Sequence, residues 1–172
     1  MRPLNYVLLL TVTALLSFAQ NNPLSTGQKT IYGFLVGNVV AAAEEMPEAS
    51  YAFKPTPEVR SFGELVGHVA DAQNMFCAIV IGEKAPTTSI EKTKTSKADL
   101  VQAVKDSKSF CDKAYSGMTD DHATEMVTVM GMQMAKLNVL SINSAHLDEH
   151  YGNMVTYLRI RGLVPPTSQP KK

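Results

Sequence analysis

Apolar residues recur at helical spacing in four stretches of the chain, separated by segments that have no period. Ile31, Phe34, Leu35, Val39, Ala42 and Met46 mark the first stretch, behind a polar leader at 21–27, and Pro47 stops it. Residues 48–60, EASYAFKPTPEVR, hold two prolines and are predicted to be an extended connector. The second helix opens with Ser61 and Glu64, the arrangement in which a serine hydroxyl and a glutamate side chain each satisfy a free backbone amide. Its inward stripe is Phe62, Leu65, Val69, Ala72, Phe76 and Ile79, and His68 falls within it.

Residues 82–95, GEKAPTTSIEKTKT, are polar, rich in threonine and aperiodic. Such a segment is long for a hairpin between antiparallel helices, but it can travel back along a bundle about 30 Å high. It reads as a loop or crossover, so the second and third helices are predicted to run parallel. The third helix covers 97–116, capped by Ser96 and ended by Gly117, with Leu100, Val101, Val104, Cys111 and Tyr115 inward. Residues 120–134, DDHATEMVTVMGMQM, predict an irregular or short extended connection that lays its methionines over the core. The fourth helix runs over 136–161, with Gly162 as a left-handed stop and Pro165 and Pro166 behind it. Four amphipathic helices with one long crossover predict an all-α four-helix bundle in up-down-down-up order.

The start of the chain has a different pattern. Arg2 precedes an apolar run from Tyr6 to Leu16, with small residues at Ser17 and Ala19 ahead of Gln20. This is the pattern of a secretory signal peptide over 1–19, cleaved after Ala19, and the run is shorter than the roughly 20 apolar residues of a membrane span. The expected product is a single domain over 20–172, secreted or periplasmic, with no membrane association once the signal is removed. Basic and acidic residues balance at 16 each, and cleavage removes only Arg2 from that count. With no basic stripe and no tryptophan, nucleic-acid binding is not expected.

The chemistry of the chain concentrates in its histidines. His146 and His150 are four residues apart on the fourth helix, hence about 40° apart in projection and roughly 6 Å apart along the axis, so they can converge on one ion. His68, facing inward from the second helix, completes a three-imidazole set that leaves open positions on a divalent metal, as catalytic sites do. His122 has no partner at ligand spacing and reads as a surface residue. Carboxylates one turn away, Glu64 and Asp71, and Glu149 beside the last ligand, are the candidate proton carriers. Asn143 and Asn153 flank the histidine pair and are candidates to orient imidazoles or substrate.

SFGELVGHVADAQNMF around His68, HLDEH with His146 and His150, and the closing YLRIRGLVPPTS together resemble the DinB-like superfamily of DNA-damage-inducible and YfiT-type proteins, over roughly residues 28–168. The resemblance implies the same up-down-down-up bundle. It also implies a divalent metal, nickel or zinc, held by three histidines that fall on His68, His146 and His150. Relatives include thiol-dependent transferases and isomerases. Many of them follow the last ligand with Arg-Gly-Gln, whereas His150 is followed by Tyr151, Gly152 and Asn153, so an arginine that could hold an anionic group is missing there. Export would also carry the protein away from the cytoplasmic thiol pool.

Cys77 and Cys111 fall at similar heights if the second and third helices are parallel, which leaves open either a disulfide or two separate buried thiols. Cys77 is about 180° round the helix from His68 and is not expected to be a ligand. Three functional classes follow: a metal-dependent hydrolase or thiol-dependent transferase acting on a small molecule, a non-catalytic metal- or ligand-binding module, and a structural helical protein that forms a homodimer through an apolar helix face.

Overall fold

A computed structural model of the chain describes residues 22–86 and 89–170; the expected signal peptide lies outside the described residues. Four long helices dominate it: α1 (Pro23–Glu45), α2 (Phe62–Ile81), α4 (Lys97–Gly117) and α5 (Lys136–Ile160). A four-residue helix α3 (Ile90–Thr93) lies between α2 and α4, and a hairpin of β1 (Met126–Val129) and β2 (Met132–Ala135) lies between α4 and α5. No described helix is long and apolar enough to cross a membrane.

Local signals set most of these boundaries. Ser61 and Glu64 form the reciprocal capping box that starts α2, and Ser96 Oγ accepts the Asp99 backbone N–H at the start of α4. Beyond α5, Gly162 takes the left-handed φ of 77° that few other residues tolerate, which ends the helix. The start of α1 has a different origin. The helix begins four residues before Gly27, inside the expected polar leader, because Asp120 reaches across from the far end of α4. Its carboxylate accepts the Leu24 and Ser25 backbone N–H groups at 3.1 and 2.8 Å, and the Ser25 hydroxyl at 2.6 Å. These contacts join residues more than ninety positions apart, so no local pattern announces them.

Helix α1 buries only part of the apolar set that marks it in the sequence. Tyr32, Leu35, Val36, Val39, Ala42, Ala43 and Met46 face the core, whereas Ile31 and Phe34 are more than half exposed. The reason is that α1 packs against both α4 and α5, so its buried arc is centred between them rather than on the stripe through Ile31 and Phe34. Stacked rings of Tyr32 and Tyr115, 3.8 Å between centroids, join α1 to α4.

The contacts between helices have a clear direction. Along α2 and α4, Gly63 faces Leu100, Gln73 Nε2 donates to Ser107 Oγ at 3.0 Å, and Cys77 is bonded to Cys111, so contacts advance together. Along α1 and α5 they also advance together, from Gln28 with Ser144 to Ser50 with Arg161 just beyond the helices. Between α2 and α5 they run in opposite senses, from Cys77 near Asn143 to Arg60 against Tyr157. Cys77 and Cys111, both fully buried, form a disulfide with 5.2 Å between Cα atoms, which decides between the two states open for the pair.

The connection after α4 is more regular than the sequence suggests, and three of the four methionines in residues 120–134 sit elsewhere. A two-residue turn at Met130 and Gly131, both with positive φ, closes the hairpin. Met126, Met130 and Met132 project into solvent instead of covering the core, Met134 packs against the core as expected, and Val129 is the strand residue that is buried. With side chains alternating across a strand, only one face of so small a ribbon can reach the bundle.

Candidate metal centre

Three imidazoles meet where α2 crosses α5. His68 stands on α2, and His146 and His150 stand one turn apart on α5. The Nε2 of His146 lies 3.1 Å from that of His68 and 3.0 Å from that of His150, and the potential ligand atoms of all three residues fall within 4.8 Å of one another. Among the described residues this is the group of histidine, cysteine and acidic side chains arranged to hold an ion. His150 is buried and the other two are partly buried.

A neutral imidazole has one N–H, and one proton between three facing nitrogens can at best be shared by two lone pairs. A cation at the common point satisfies all three. The spacing is close to that of one, since nitrogens about 2.0–2.1 Å from a tetrahedral zinc ion stand roughly 3.3 Å apart. The electrostatics agree with that role. Burial, with the neighbouring histidines and Arg60 adding to it, pushes both His146 and His150 down to about pKa 4, so both offer neutral lone pairs at ordinary pH. Among the described residues His146 Nδ1 is buried with no hydrogen-bond partner, and Asn153 Nδ2 lies 3.4 Å from His150 Nδ1.

The other expected site residues are divided between the centre and the scaffold. Glu149 is exposed on a cavity of about 770 Å³ beside His150, which Lys54, Arg60, Asn153 and Tyr157 also line. Glu64 lines the same cavity but is engaged twice, with the Ser61 backbone N–H at 2.6 Å and with Lys54 at 3.1 Å; these bonds lower its pKa. Asp71 is engaged in the scaffold instead, with its two carboxylate oxygens turned from the imidazoles to accept the backbone N–H groups of Ile90 and Glu91. Asn143 faces away as well: it is buried, donates to Tyr115 Oη at 3.1 Å and lies against the disulfide. His122 is exposed and paired with Glu125, away from the three histidines.

Two residues at the centre come from segments without periodicity. Glu91, in α3, places Oε2 at 3.2 Å from His68 Nδ1, and its Oε1 accepts from Arg60 Nε at 2.8 Å. Arg60, from the connector before α2, therefore brings a cation to a site whose last ligand is followed by none. Asp71 and Gly67 on α2 were the available signals, but both act on a segment some twenty residues further on.

A helical protein with an open three-histidine centre is thus defined by its geometry. The chain belongs to the DinB superfamily, whose family model matches residues 37–154. No curated protein sequence matches the chain. Its fold is shared by a DinB-like protein from Bacillus cereus, with a TM-score of 0.73 and 18% identity over 82% of this chain and 95% of the other. A DinB-like protein from Bacillus subtilis, YjoA, is similar at 0.68 and 21% identity, over 84% and 99% of the two chains. The mycothiol-dependent maleylpyruvate isomerase is similar at 0.60 and 16% identity, over 76% of this chain and 60% of that longer one.

Proposed function

We propose that this protein binds a divalent metal, nickel or zinc, through His68, His146 and His150, and acts as a metal-dependent hydrolase or transferase on a small molecule. The observation that carries this reading is the meeting of three Nε2 atoms, two of the three spacings at 3.0 and 3.1 Å, beside an open cavity. When bound, the ion supplies Lewis acidity at its open positions. The chain's own residues supply the rest. Asn153, whose side-chain amide lies beside His150 Nδ1, orients the ring for Nε2 ligation when its amide oxygen accepts the Nδ1–H, and the cavity beside His150 receives the substrate. Arg60, with only its Nε engaged among the described residues, offers its remaining N–H groups to a substrate oxyanion. Glu149, which no hydrogen bond holds among the described residues, is the carboxylate placed to move a proton at the mouth of the site.

The contact directions support the up-down-down-up bundle, with α3 riding on the crossover. Export is supported by the signal pattern at 1–19 and by the disulfide, which suits an oxidising compartment. The likeness to the mycothiol-dependent isomerase supports the architecture only, and export disfavours a cytoplasmic thiol as co-substrate. Leu24, Ile31 and Phe34 form an apolar stripe on the outside of α1, the surface a homodimer would use.

Metal content of the mature protein, measured by mass spectrometry after reconstitution with nickel or zinc, tests the central claim. One ion per chain is expected, lost in each of His68→Ala, His146→Ala and His150→Ala. Full occupancy in any of these variants, or no ion in the wild type, would sink the reading.

A further inference from the structure

Gly67 and Asp71, on either side of His68 in α2, and Ile90 in α3 fix the place of Glu91. Gly67, the residue before His68, carries no side chain where a Cβ would lie 2.6 Å from Glu91 Cα and 2.8 Å from its backbone nitrogen. Only glycine lets the crossover come this close. Asp71, three residues after His68, accepts the Ile90 N–H through Oδ1 at 2.9 Å and the Glu91 N–H through Oδ2 at 3.0 Å, so one carboxylate closes the open start of α3. Ile90, 2% exposed, anchors the short helix to the core. The four helical residues of α3 are thereby fastened to α2 before and after His68, and to the core through Ile90.

We infer that Glu91 is the positioning residue of the metal centre: it holds His68 as its Nδ1–H tautomer, in the orientation that turns the Nε2 lone pair towards His146 and His150. A carboxylate only accepts hydrogen bonds, so a His68 that faces Glu91 through Nδ1 keeps its proton there and leaves Nε2 bare. Arg60, donating to the other carboxylate oxygen, stops the group from rotating away. Among the described residues the remaining two histidines have no comparable partner: His146 Nδ1 has none and His150 Nδ1 meets the Asn153 amide. His68 is the fixed point of the three, and the other two close on it. This assignment rests on the three-histidine reading and goes beyond it by naming the residue that prepares the site before any ion arrives.

Two measurements test it, one without metal and one with. Long-range ¹H–¹⁵N NMR of the imidazoles in the metal-free protein reads the tautomer directly. Wild-type His68 is expected as Nδ1–H and Glu91→Ala as a mixture; an unchanged tautomer in Glu91→Ala overturns the assignment. Zinc affinity by competition with a chelator is expected to fall about 10–100-fold in Glu91→Ala. Glu91→Gln, which keeps one acceptor, falls between the two, and Gly67→Ala weakens binding with Glu91 still in the chain. Affinity of Glu91→Ala within threefold of wild type overturns the assignment. Glu91 is partly exposed, so thermal melts of its variants should show an intact fold. Should the wild type hold no zinc, the metal reading fails and the tautomer measurement alone decides the role of Glu91.

Discussion

At the scale of the residue, the two histidines of α5 couple the site to the stability of the protein. In the unfolded chain each takes a proton near pH 6.5, whereas in the folded protein neither does so until about pH 4. Between these values the unfolded chain binds more protons, so the metal-free protein keeps their full contribution above pH 6.5 and loses it as pH falls towards 4. Melting temperatures of metal-free protein from pH 7.5 to 4 are expected to drop across that window, and the drop should flatten in the His146→Gln/His150→Gln variant. Equal slopes in the two proteins would contradict the assignment of the shift to this pair. Added zinc or nickel should steepen the acid loss, because protons and metal compete for the same nitrogens.

At the scale of the element, α3 shows what periodicity conveys and what it leaves out. The four-residue spacing of His146 and His150 was legible because it is a helical period, and His68 was legible because the inward stripe of α2 includes it. The capping box at Ser61 was equally legible, since both partners lie within one turn. Glu91 and Arg60 had no such signal: each is placed by a contact made only after the chain has folded back. Asp71 illustrates the same limit, since one turn from His68 suggests a proton carrier and only the packed crossover shows a helix cap. Helical spacing named Ile31 and Phe34 with the residues that α1 buries, because it does not say which of two neighbouring helices sets the buried arc. The cap itself can be tested. Asp71→Ala is expected to cost α3 about 0.5–2 kcal/mol, seen as faster amide hydrogen exchange at Ile90–Thr93 with little change in the exchange of α4. Unchanged exchange in α3 would show that Ile90 packing alone holds the segment.

At the scale of the whole molecule, the disulfide joins the two helices on either side of the crossover. A closed loop spanning 34 positions removes about 4 kcal/mol of unfolded-chain freedom, so Cys77→Ala/Cys111→Ala should melt well below the wild type. A melting temperature within a degree or two of wild type would show that helix packing alone holds α2 and α4 together. The closed loop also encloses the segment that carries Glu91. Lys84, Lys92 and Lys94 all lie between the two bonded cysteines. A tryptic cut at any of them severs the backbone but leaves both halves covalently attached, with α2 and α5 still presenting their three imidazoles. Scission of the crossover at an exposed lysine such as Lys84 or Lys92 thus does not break the molecule in two.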